Sequence, residues 1–171
     1  MSRHIALLRG INVGGQKKVP MAALRALFES LGYSDVVTLI QSGNAVFSAA
    51  GAVSSVDLEA AIATEFGFDV TVVMRTPRQL REIVDRNPFA REKPAALHVG
   101  FMAHEPAAAA VKQLDTDRFR PDEFAIKGTE IYAHLPNGLG RSKLLPYLDR
   151  QLKTPTTVRN WNTVNKLLEL C

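Results

Sequence analysis

One cysteine, Cys171, stands at the last position, one tryptophan is present, and no apolar run approaches the ~20 residues that a membrane helix needs. A lone terminal thiol excludes a disulfide framework, a cysteine-built metal cluster and a C-terminal prenylation signal. The opening Met1-Ser2-Arg3-His4 leads into no secretory h-region, so the expected compartment is the cytoplasm and no membrane partner is expected. His4, His98, His104 and His134 show neither ligand spacing nor cysteine neighbours, so no metal site is read from them. A G-x-S-x-G elbow is missing, and so is a G-x-G-x-x-G dinucleotide fingerprint. The residues therefore name no reaction and no cofactor, and leave open whether the protein is an enzyme. What is present is the usage of a soluble globular protein: 171 residues, 46% hydrophobic and 22% charged, enough to bury a core in one domain or two small halves. A formal charge of +4 tilts the chain towards anionic partners without separating nucleic acid from nucleotide.

Periodicity predicts two similar halves. His4 to Leu8 reads as a strand, and Pro20 opens a helix with Met21, Leu24, Leu27, Phe28 and Leu31 at helical spacing, stopped by Gly32. Val36 to Gln41 and Ala45 to Ser48 read as strands joined by a hairpin at Ser42-Gly43-Asn44. A helix capped by Ser54 or Ser55 follows, lined by Leu58, Ala61, Ile62 and Phe66 and ended by Gly67, and Asp69 to Arg75 alternates as a strand. Thr76 and Gln79 have capping-box spacing for a connecting helix that presents Leu80, Ile83 and Val84, closed by Asn87-Pro88.

The pattern then repeats. Strand 97–102 is followed by a helix opening at Pro106, strands 123–126 and 130–135 around Lys127-Gly128-Thr129, a helix from about Ser142 to Leu152 and a short strand 156–159. Trp161, Val164, Leu167 and Leu168 make a final amphipathic helix. The fold class expected is α+β: two tandem ferredoxin-like (βαββαβ) halves over 1–75 and 96–171, the second with an extra C-terminal helix, linked by 76–95. Ile5-Ala6-Leu7-Leu8 and Val99-Gly100-Phe101-Met102 are apolar on both sides, so both faces of each central strand should be covered, by the other half or by a second copy. No pattern sets the oligomeric state.

Four stretches exceed what turns and helices require: Arg9-Gly10-Ile11-Asn12-Val13-Gly14-Gly15, Gln41-Ser42-Gly43-Asn44, Gly138-Leu139-Gly140-Arg141-Ser142-Lys143 and Arg159-Asn160-Trp161-Asn162-Thr163. In this order they resemble the motifs of a bacterial family, domain-of-unknown-function family 1697, whose members open with a strand ending L-R-G-I-N-V-G-G and then carry Q-S-G-N, G-x-G-x-S-K and R-N-W-N-T. The resemblance runs from about Ile5 to Leu168. It implies a double ferredoxin-like fold and a cytoplasmic bacterial setting, and it brings no activity.

Each stretch has a chemical and a structural reading. Adjacent glycines, Gly14 and Gly15, present backbone N–H groups that suit an anion, with Arg9, Asn12 and Lys17 nearby; the same glycines also suit a plain strand-to-helix turn. A P-loop is excluded, because Gln16 stands where lysine is needed and no hydroxyl follows Lys17. Gly140, Arg141, Ser142 and Lys143 precede a helix whose N-terminus favours anions, although Ser142 also reads as a simple N-cap. Arg159 and Asn160 read either as ligand groups or as an ion-pair partner and a cap. Parallel strands place the Arg9 loop beside the hairpin of Gln41, Ser42 and Asn44, and the Gly138 loop beside Arg159. The acidic side chains, Glu59 among them, read as solvated helix faces.

Three functions fit. The first is a site for a small anionic ligand, a nucleotide or phosphorylated metabolite, in which Arg9, Gln41, Lys143 and Arg159 are expected to face one cleft. The second is nucleic-acid binding, less supported because strand 1 lacks aromatics and strand 3 offers only Phe47. The third is a non-enzymatic protein whose polar motifs are structural.

Overall fold

The structure, a computed structural model, describes residues 1–171. The chain is α+β with two units, Met1–Arg81 together with Lys166–Cys171, and Glu82–Asn165. In the first, β1 (Ser2–Leu8), β2 (Ser34–Leu39), β3 (Asn44–Ala49) and β4 (Val72–Arg75) form an antiparallel sheet in the order β2-β3-β1-β4. β1 runs down its middle, with Leu7 opposite Asn44 on one side and Val73 on the other.

Two helices cover one face because their apolar residues recur at the helical period. From α1 (Met21–Ser30) come Leu24 and Phe28, and from α2 (Ser55–Phe66) come Leu58 and Ile62; they pack with Ala6, Leu8, Ala45 and Phe47. Pro20 sits at the N-cap of α1 with φ −62°, one residue ahead of the helix. Ser54 caps α2 by accepting from Asp57 N at 3.3 Å. On the other face of β1, Ile5 and Leu7 are also 0% exposed, as alternation of an all-apolar strand requires. α3 (Pro77–Asp85) starts with the expected capping box: Thr76 Oγ1 accepts from Gln79 N at 3.2 Å, and Gln79 Oε1 accepts from Thr76 N at 2.8 Å.

The second unit repeats the scheme. β5 (Leu97–Met102), β6 (Glu123–Lys127), β7 (Glu130–His134) and β8 (Thr156–Asn160) are ordered β6-β7-β5-β8, all antiparallel. α4 (Ala108–Lys112) and α5 (Leu144–Leu152) lie in the crossovers, and α5 contributes Leu144, Leu145, Tyr147, Leu148 and Leu152 to a core with Met102, Ile131 and Ala133. α6 (Trp161–Glu169) ends the chain, capped by Asn160 Oδ1 on Thr163 N at 2.8 Å.

Three elements differ from the sequence expectation. β4 begins at Val72 rather than Asp69; just before it Arg9 N still donates to Thr71 O at 2.9 Å in the β1–β4 register, whereas the Asp69 carbonyl accepts from Lys17 Nζ at 2.7 Å. Glu59, expected on a solvated face, instead accepts from Val72 N at 2.8 Å. α4 is only five residues long. Soon after it the Asp115 carboxylate accepts from Asp117 N and Arg118 N at 3.1 and 3.0 Å, a turn that competes with helix. α5 starts at Leu144, not Ser142, since Leu139–Arg141 forms a separate tight helical turn.

No helix of the chain is long and apolar enough to cross a membrane.

Candidate functional site

Within the first unit, the Arg9 loop and the Gln41 hairpin share one sheet end, as parallel β1 and β2 require. Leu8 N donates to Gly43 O at 2.8 Å, and Asn12 Nδ2 donates to Gln41 O at 2.8 Å. The glycine pair is not a helix-opening cradle. Asn12 N donates to Lys17 O at 3.0 Å and Gln16 N to Val13 O at 3.0 Å, so Asn12 to Lys17 is a small hairpin. Gly14 and Gly15, at φ 58° and 74°, are its two central residues, the pattern of a type I′ turn.

Much of this loop's polarity is spent on holding its shape. Asn12 bonds Val19 and Gln41, and Asn44, fully buried, donates to Leu39 O at 2.8 Å and to Ser42 Oγ at 3.2 Å. Gly43, read from the sequence as a hairpin residue, has φ 87° and is also packed: a Cβ there would lie 2.6 Å from Ile11 Cδ1. Arg9 and Lys17 line a groove of ≈ 430 Å³ against α2, where Glu59 and Asp69 supply opposite charge. Its field is therefore mixed rather than anion-selective.

In the second unit one cavity is bordered by more cations than carboxylates. Arg141, Ser142 and Lys143 line this cavity of ≈ 480 Å³ together with Asn137 and the stretch 119–122. Arg120 brings a third cation, so three positive side chains from two loops border one space at the start of α5. Ser142 is not the N-cap; Lys143 holds that position, while Ser142 Oγ accepts from Leu144 N at 3.2 Å and leaves its hydroxyl proton for another acceptor. Gly138, at φ 85°, sets the turn that carries this loop back to the helix, and Gly140 follows inside the tight helical turn. Arg120 is shared with Asp117 at 2.8 Å, but both side chains are about 70% exposed, so solvent screens the pair and it is weak. An incoming anion can compete for it.

Arg159 and Asn160 leave the same sheet end as β7, with Leu97 opposite His134 and the next residue, His98, opposite Asn160, but neither lines this cavity. Arg159 is 5% exposed, with Nη1 donating to Thr157 Oγ1 at 2.7 Å and to Val158 O at 2.9 Å. Burial pulls its guanidinium down to about 10 because the charged form loses hydration.

Arg120, Asp122 and Asn137 were not singled out from the sequence. The one available signal was the cationic spacing of Arg118-Phe119-Arg120-Pro121, which lies between predicted elements. Only folding places it against Arg141 and Lys143.

The comparisons with known proteins bear on fold and family. No curated protein matches the chain. A solved structure, "The structure of conserved bacterial protein SP0830 from Streptococcus pneumoniae", is similar with a TM-score of 0.76 over 99% of this chain and 98% of that one, at 23% identity. At that identity the likeness shows a common fold. Residues 1–132 match the family described as "Protein of unknown function (DUF1697)", which includes the motifs around Arg9 and Gln41. With more than half of the sequence matched, the chain belongs to the DUF1697 family.

Proposed function

We propose that the protein binds a small anionic ligand, a nucleotide or phosphorylated metabolite, in the cavity of its second unit through Arg141 and Lys143. The observation that carries this reading is the shared lining of one ≈ 480 Å³ cavity by Arg120, Arg141 and Lys143. Three cations against the single lining carboxylate of Asp122 leave an excess of positive charge around one space, and a bound anion lowers its energy. The Ser142 hydroxyl and the Asn137 amide add hydrogen-bond donors that orient a phosphate group, and the start of α5 contributes its positive dipole end. The volume falls in the range of small-ligand sites.

Recognition of RNA on the sheet face is less supported. Phe47, the one aromatic on β3, is 0% exposed and packs edge-on against Phe28 at 5.1 Å, so it is not available to stack on a base. The same proposal takes each unit as a ferredoxin-like βαββαβ fold, on the strand orders β2-β3-β1-β4 and β6-β7-β5-β8, and takes the protein as cytoplasmic.

Calorimetric titration of the full chain with inorganic phosphate, AMP and ribose 5-phosphate at low salt tests the reading. Saturable binding by at least one of them that weakens with added salt is the expected result. Absence of binding by all three at millimolar concentration would overturn it.

A further inference from the structure

The basic cavity also contains a group of the wrong sign for a pure phosphate site. Asp122 lines it, is only 8% exposed, and its carboxylate takes no hydrogen bond and no ion pair from the protein. The residue is held in the fold while its carboxylate borders the cavity with no protein donor on it, so its acceptor capacity is open to a ligand. The backbone holds it there: Asp122 N donates to Phe119 O at 2.9 Å, and Phe119 packs at 4.9 Å against the ring of Tyr147 on α5. Asp122 is thus presented by a turn anchored in the core, not by a loose loop.

We infer that Asp122 is a specificity residue that accepts hydrogen bonds from neighbouring hydroxyls of the ligand, so that the cavity takes a phosphate monoester of a polyhydroxy compound, the sugar phosphate part of a ribonucleotide included. This rests on the proposed anion site. A carboxylate accepts and never donates, so it cannot hold the phosphate itself and repels it. The ligand must therefore carry donors at some distance from its phosphate. Ammonium donors are disfavoured by Arg120, Arg141 and Lys143 around the same space, whereas neutral hydroxyls feel no such repulsion. Acidic side chains gripping ribose hydroxyls while cationic or backbone groups hold phosphate is a recurring division of labour in nucleotide sites. A volume of ≈ 480 Å³ also exceeds what inorganic phosphate alone would fill.

The test compares AMP, ribose 5-phosphate, 2′,3′-dideoxy-AMP and inorganic phosphate on the unmodified full chain, then on Asp122→Asn. The expected result is that AMP and ribose 5-phosphate bind roughly tenfold or more tighter than dideoxy-AMP, and that Asp122→Asn narrows this gap while the melting temperature of the free protein stays level or rises. Similar affinities for AMP and ribose 5-phosphate assign recognition to the sugar phosphate; a preference for AMP alone assigns it to the whole ribonucleotide. Equal binding of AMP and dideoxy-AMP by the unmodified chain overturns the role of Asp122 and leaves the anion site standing. A failure of all four probes removes both. A large drop in melting temperature for Asp122→Asn, with the ligand ranking unchanged in protein that remains folded, makes Asp122 structural and also overturns the inference.

Discussion

Asn12 and Val19 exchange two hydrogen bonds: Asn12 Nδ2 donates to Val19 O at 2.9 Å, and Val19 N donates to Asn12 Oδ1 at 2.8 Å. The side-chain amide stands in for a strand partner and closes the loop between β1 and α1. The same Nδ2 reaches Gln41 O, which ties this loop to the β2–β3 hairpin.

Asn12→Ala is therefore expected to cost about 2 kcal/mol, since it removes these bonds and also leaves a non-glycine residue without a polar side chain at φ 55°. Asn12→Gly loses the bonds but not the backbone fit, so it should cost less. Urea unfolding of both variants checks the order; equal losses would show that the backbone conformation contributes nothing.

Two glycines at positive φ should respond differently to alanine. A Cβ on Gly43 would meet Ile11 Cδ1 at 2.6 Å and Leu8 Cβ at 2.9 Å, whereas a Cβ on Gly14 meets nothing within 4 Å. Gly43→Ala is expected to destabilise by about 3 kcal/mol from overpacking added to backbone strain, and Gly14→Ala by about 1 kcal/mol from strain alone. Comparable denaturation midpoints for the two variants would contradict the packing assigned to Gly43.

His98, on β5, is buried, and burial lowers its imidazole from the usual 6.5 despite an opposing hydrogen bond to the Ala96 backbone. The unfolded chain then takes up the proton first as pH falls. Stability contributed by neutral His98 is complete above about pH 6.5 and is lost as pH drops through the lowered folded value. Denaturation midpoints of wild type and His98→Leu from pH 8 to pH 5 should diverge on acidification, with the flatter profile in the variant. Parallel profiles would assign the acid sensitivity to other groups.

Lys143→Ala and Arg141→Ala should each weaken binding of the phosphate probes by roughly tenfold and reduce its salt dependence, because each removes a charge facing the cavity. Lys166→Ala, whose ammonium pairs with Glu169 at 2.9 Å on the surface of α6, serves as the control and should leave affinity unchanged. Identical affinities across all three variants would place the anion elsewhere.

The strands and helices were legible in the sequence because their signals are local. Ser54, Gly67, the Thr76–Gln79 box and Asn160 mark helix ends within a few residues of the groups they bond, and the alternation of the strands is set by the pleat. Topology could also be reasoned, since parallel β1 and β2 must bring the Arg9 loop and the Gln41 hairpin to one end. Local signals failed where a long-range bond outcompeted them. Glu59 looked solvent-facing from its place on α2, yet Val72 N, thirteen residues on, needed an acceptor at the sheet edge. Gly43 looked like a mere turn former until Ile11 was folded over it.

The amino-acid order by itself determined the αβ pattern, the caps, the glycine turns and the four polar stretches, because each depends on residues within one turn or one strand of each other. The tertiary structure alone decided which charges share a space. Arg120 and Asp122 lie about twenty residues before Arg141 and Lys143, with a full β-hairpin between them, and no sequence period relates them. Their meeting depends on the antiparallel pairing of β6 with β7, which returns the chain to the end it left, and on the core contacts of Phe119 and Tyr147 that seat the two loops side by side.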